Sequence, residues 1–81
     1  MKILEIFKGE ERLVHTLAGN VNTYGKYKLN IKNIVGEVML METDQHGNVN
    51  GSILEIKEYT LHGQTYKFKA NVDSDITYEI F

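Results

Sequence analysis

The chain has 81 residues, with no cysteine and no proline, and 42% of it is hydrophobic. Nine Lys and Arg against eleven Asp and Glu leave a net charge of −2, which argues against a wholly basic nucleic-acid-binding surface and is too mild for an acidic DNA mimic. Without cysteine there are no disulfide staples and no thiolate zinc sites, and the hydrophobic content is too high for a disordered chain.

One domain spanning 1–81 is expected. A chain of this size hides only roughly 60–65% of the surface its unfolded form exposes, and such cores rarely supply more than about 3–5 kcal/mol net. Self-association is therefore a natural source of further stability. The N-terminal apolar run is broken by Glu5, and no stretch approaches the roughly 20 apolar residues that span a bilayer. The expectation is a cytoplasmic protein with no membrane segment. Arg12 is the single arginine, and Asn and Ile are abundant, a bias that accompanies AT-rich genomes such as those of low-GC bacteria and their phages.

Residues 2–8 read as a strand and Gly9-Glu10-Glu11 as a turn. Residues 12–17 are expected to return as the second arm of a hairpin. The alternative is a short helix over 10–18, with Glu10 and Glu11 at its positive end and Gly19 as its cap. The Gly/Asn-rich stretch from Gly19 to Gly25, including Tyr24, reads as a loop. Tyr27, Leu29 and Ile31 then alternate with Lys26, Lys28, Asn30 and Lys32, giving a strand with one buried and one cationic side. Gly36 marks a bend or bulge.

From Gly36 to Val72 the pattern predicts a three-stranded meander. Its first strand, Glu37–Thr43, is apolar on both sides, with Val38 and Leu40 opposite to Met39 and Met41. The partner strand, Ser52–Leu61, is expected to place Ile53 beside Val38 and Leu40, and Leu54 and Ile56 on the methionine side. Strands apolar on both faces call for cover on both faces. The second turn, at His62-Gly63, predicts a tight hairpin pairing Thr60 with Thr65, Tyr59 with Tyr66 and Glu58 with Lys67. That register sets Ile56 opposite Lys69, so a bulge near Lys57-Glu58 is expected. Tyr66, Phe68, Ala70 and Val72 share one face of the third strand. After a turn at Asp73-Ser74-Asp75, Ile76, Tyr78 and Ile80 form a last strand, and Phe81 is expected to be pinned in a sheet.

Several residue groups invite a functional reading. Lys26, Lys28, Lys32, Lys67 and Lys69 interleave with Tyr24, Tyr27, Tyr66 and Phe68, the residue types with which small barrels grip single-stranded nucleic acid. The alternation, however, turns the aromatics away from the lysines beside them. His15, His46 and His62 lack the short spacings of a metal site. The Asn-rich stretch beginning at His46 is oxygen-rich like a calcium loop, but Lys57 stands twelfth, where a bidentate Glu is required. Asn50-Gly51-Ser52 reads as a turn. The sequence has no nucleophile elbow and no phosphate-cradling Gly-rich loop, and its carboxylate pairs fall in turns. Met39 and Met41 read as core filling or as an intersubunit surface.

The expected fold is all-β, a small antiparallel barrel or sandwich of six to seven strands built from hairpins. The expected function is a non-enzymatic protein-binding module without cofactor or metal, self-associating, with a protein partner. Met39, Met41, Tyr78, Ile80 and Phe81 are its candidate surface. A phage or mobile-element inhibitor of a host protein fits this description, as does a virion structural subunit. The competing expectation is a small β-barrel binding single-stranded nucleic acid or nucleotide through the five lysines.

Overall fold

A computed structural model describes residues 1–16, 25–62 and 64–81. The predicted loop over 19–24, with Tyr24, lies outside the described residues, as does Gly63.

The described residues form eight strands: β1 (Lys2–Ile6), β2 (Glu11–Thr16), β3 (Lys28–Val35), β4 (Val38–Thr43), β5 (Val49–Ile53), β6 (Glu58–Thr60), β7 (Thr65–Ala70) and β8 (Ser74–Ile80). They make two antiparallel four-stranded sheets, ordered β1-β8-β3-β6 and β2-β7-β4-β5. The architecture is the sandwich alternative rather than a closed barrel. Residues 11–16 of the possible helix are strand β2. Among the described residues no helix is long and apolar enough to cross a membrane.

The alternating residues are the core. Leu29 and Ile31 of β3, Val38 and Leu40 of β4, Tyr66, Phe68 and Ala70 of β7, and Ile76 and Tyr78 of β8 are all buried between the sheets. Period-two patterning decides which side faces inward, because successive side chains leave a strand on opposite faces. Tyr27 and Val72, at the ends of their alternating runs, lie exposed at the rim of the core.

Among the described residues only β4 and β5 pair as a hairpin. Every other pair of consecutive strands lies in different sheets, so the chain passes from one sheet to the other between them. This overturns the hairpin expected between residues 2–8 and 12–17: β1 pairs with β8, and β2 with β7. The meander fails as well. β6 pairs with β3, placing Thr60 opposite Lys28 and Glu58 opposite Asn30, while β7 lies between β4 and β2. The reason lies in Leu61, fully buried where the chain crosses sheets. Its N–H donates to Tyr27 O at 2.9 Å and its carbonyl accepts from Gly25 N at 2.7 Å, on the β3 side. Gln64 N donates instead to Thr43 O at 2.8 Å, on the β4 side. The arms of the expected tight turn thus diverge. No bulge occurs at Lys57-Glu58; the chain bends at Ile56-Lys57 to cross sheets, and Ile56 is 61% exposed. The irregular registers are between Leu13 and His15 and between Ile31 and Asn33.

Gly36 makes the β3–β4 crossing. Its φ is 105°, and a Cβ there would collide with Ser74, approaching its Cβ to 2.8 Å. Buried Ser74 occupies the space, its hydroxyl donating to Val72 O at 2.7 Å and accepting from Glu37 N at 3.1 Å. Phe81 is pinned within the same chain, exchanging backbone hydrogen bonds of 2.7 and 3.0 Å with Lys28.

Candidate interaction surface

Among the described residues no pocket opens. What the sandwich offers to a partner are two outer faces and four strand edges.

The outer face of the first sheet is mostly polar but not wholly so, with Ile3 82% and Val35 58% exposed among its charged and amide side chains. Directly paired residues share a face, so the registers lay out its rows: Glu5, Asp75 and Val35; then Ile3, Thr77 and Asn33; then Glu79, Asn30 and Glu58. Its lysines are engaged, Lys28 with Glu58 at 3.6 Å and Lys32 with Glu79 at 3.4 Å.

The outer face of the second sheet gathers more apolar side chains, and its lysines stand outside the ion pairs. Its rows are Glu11, Lys69, Met39 and Ile53; then Leu13, Lys67, Met41 and Gly51; then Thr16, Thr65, Thr43 and Val49. Leu13 is 62% exposed, Val49 58% and Ile53 50%, while Met39 and Met41 are half-buried. The thioethers lean over Gly51, where a Cβ would stand 2.8 Å from Met41 Sδ and 3.3 Å from Met39 Cε. Among the described residues neither Lys67 nor Lys69 has an ion-pair partner. Apolar side chains thus border two ammonium groups that hold no ion pair among the described residues, with Glu11 across the strand from Lys69.

The β4–β5 turn that closes one end of this face is organised by Asp44. Its carboxylate accepts from His46 N at 2.8 Å, Asn48 N at 2.9 Å and Asn48 Nδ2 at 3.1 Å, and Gly47 takes φ 84°. These bonds, that from the Asn48 backbone foremost, hold the Asp44 carboxyl below its ordinary value of 3.8. The turn sets the β4–β5 register and so corrects the expected face assignment: Ile53 lies opposite Met39, outside, and Leu54 is buried with its N–H donating to Val38 O at 2.8 Å.

The residues named from sequence as one interaction surface divide among three environments. Met39 and Met41 lie on the open face. Tyr78 is in the core, 7% exposed, where burial pushes its phenol above the usual value. Ile80 packs partly buried against the core, and Phe81, 55% exposed, sits at the end of the other sheet. Leu13, Val49 and Ile53 were missed, although period two applied from Met39 through a correct β4–β5 register would have found Ile53.

The five lysines also divide. Lys26 and Lys28 precede and begin β3, and Lys32 belongs to it, in the first sheet; Lys67 and Lys69 are on the outer face of the second. The two outer faces point away from each other. Tyr66 and Phe68 are buried, and the Tyr27 ring is turned to His15, with centroids 5.0 Å apart. No aromatic residue shares the outer face with Lys67 and Lys69 in the register given above. Among the described residues no group of three His, Asp or Glu comes together as a metal cluster.

Comparison of the chain with protein-family models, with curated proteins and with solved structures gives no match.

Proposed function

We propose that this chain is a non-enzymatic protein-binding module that docks its partner on the outer face of the second sheet. The observation that carries the reading is the apolar group of Met39, Met41 and Ile53, with Leu13 on the far strand, flanking Lys67 and Lys69, which hold no ion pair among the described residues. Apolar side chains on an open face are a source of binding energy, and methionines adapt their shape to what they meet. The ammonium groups favour a partner surface bearing carboxylates around an apolar centre and speed its approach. An inhibitor of another protein and a subunit of a larger assembly are both instances of this reading.

The test is capture from a lysate of the natural source, with the wild type and a Leu13→Glu/Met41→Glu variant immobilised side by side. Circular dichroism first establishes that the variant is folded. A protein retained by the wild type and lost by the variant supports the reading. Equal capture by both overturns it. A single-stranded oligonucleotide that binds the wild type, and binds Lys67→Ala/Lys69→Ala weakly, would replace it with the nucleic-acid alternative.

A further inference from the structure

The sandwich has four edge strands, and three of them carry features that discourage pairing with another chain. β1 has Lys2 and Glu5, β2 has Glu11, Arg12 and a bulge between Leu13 and His15, and β6 is only three residues long with Glu58 ion-paired. β5 has none of these. Its sequence, Val49-Asn50-Gly51-Ser52-Ile53, contains no charge and no proline, all five residues are exposed, and its register with β4 is regular.

The bonding parity of β5 follows from its two ends. Leu54 N donates to Val38 O, and Asp44 N donates to Asn48 O. In an antiparallel pair the bonded positions alternate, so Asn50 and Ser52 bond to β4, and Val49, Gly51 and Ile53 turn their N–H and C=O groups to the open edge. β5 ends its sheet, and among the described residues no turn, loop or cap hydrogen bond uses those groups.

We propose that a second copy of this chain pairs with that edge, β5 against β5, antiparallel about a two-fold axis at Gly51. The register is self-complementary. Centred on Gly51, it sets Val49 of each copy opposite Ile53 of the other and the two Gly51 residues opposite each other. These are all bonded positions, and each facing pair exchanges two N–H···O bonds. Val49 and Ile53 meet as β-branched cross-strand pairs on the outer face, while Asn50 meets Ser52 on the other side. The missing side chain at Gly51 leaves room for Met41 of each copy to cover the junction. The result is a closed isologous dimer with one continuous eight-stranded sheet, the symmetry commonest among soluble oligomers. It goes beyond the docking reading and shares Met41 and Ile53 with it, while Leu13, on the far edge strand, belongs to the docking face alone.

The test combines sedimentation over a dilution series with amide hydrogen exchange on the wild type. A dimer at high concentration is expected, in which the Val49, Gly51 and Ile53 amides become protected and lose protection on dilution. The Val49→Pro variant, at the first residue of the strand, removes a donor that faces only the open edge. By symmetry it deletes one bond at each end of the junction and is expected to weaken dimerisation about tenfold or more. A strict monomer at every concentration overturns the proposal, as does a dimer in which those three amides stay unprotected. Capture lost on Leu13→Glu with dimerisation intact, or dimerisation lost on Val49→Pro with capture intact, separates failure of one reading from failure of the other.

Discussion

Tyr78 meets Phe68 edge to face, with ring centroids 5.2 Å apart and planes at 84°. Phe68 belongs to β7 and Tyr78 to β8, central strands of opposite sheets, so the contact ties the two layers together in the middle of the core. Edge-to-face pairs contribute about 0.5–1.5 kcal/mol beyond the area they bury. Phe68→Ala is expected to cost about 3–5 kcal/mol, which matches the whole net stability of about 3–5 kcal/mol available to a domain this small. It should be unfolded at room temperature by circular dichroism, whereas Tyr78→Phe, which keeps the ring, should unfold cooperatively near the wild-type midpoint. A folded Phe68→Ala protein of normal stability would contradict this picture.

Gly36 and Ser74 form a second contact that admits little change. An alanine at position 36 must adopt a φ that L residues rarely take and must displace Ser74. Gly36→Ala is expected to lose at least about 2 kcal/mol. Ser74→Ala opens space but leaves Glu37 N–H without its acceptor, at about 1–2 kcal/mol. Urea titrations of both variants measure this, and an unchanged midpoint for Gly36→Ala would refute the close-approach argument.

Asp44 supplies a pH-dependent element. Its carboxyl value is depressed in the folded chain, so the contribution of the charged turn is present above about pH 4. As the pH falls through the folded value, the carboxylate is protonated and that contribution is lost. An NMR titration of the His46 and Asn48 amides is expected to show a midpoint below 3.8, the ordinary value. In Asp44→Ala the titration of both amides should disappear. A midpoint at or above the ordinary value would mean that these hydrogen bonds do not favour the charged form.

His15 sits at the β2 bulge with Nε2 buried and, among the described residues, without a hydrogen-bond partner. A buried polar atom left unsatisfied costs about 1–3 kcal/mol. His15→Leu removes the atom and keeps apolar bulk against the Tyr27 ring, and thermal unfolding is expected to show a gain of about 1 kcal/mol. A lower midpoint would show that the imidazole–phenol contact outweighs the unpaired nitrogen.

The candidate face shows how the layers of information divide. Alternation in Tyr66-Lys67-Phe68-Lys69-Ala70 was enough to predict which of these residues are buried, and the structure agrees. The apolar character of Met39 and Met41 beside Val38 and Leu40 was equally plain, but not what lay over it. Ile53 escaped because its side depends on the register of the Asp44–Asn48 turn, where a slip of one residue exchanges the faces. Leu13 escaped because its strand was paired with the wrong neighbour.

By itself the sequence determined that this is an all-β chain, where most of its strands run, and which side of several of them is wet. Those are local properties, set by the two-residue repeat of a strand and by the glycines that permit turns. The tertiary structure alone decided which strands are neighbours. Matching residues around His62 suggested a hairpin, yet buried Leu61 sends the two arms into different sheets. Pairing across such crossings is chosen by burial of one shared core, a non-local quantity that no window of residues contains. That choice also left Met39, Met41 and the bare edge of β5 facing outward.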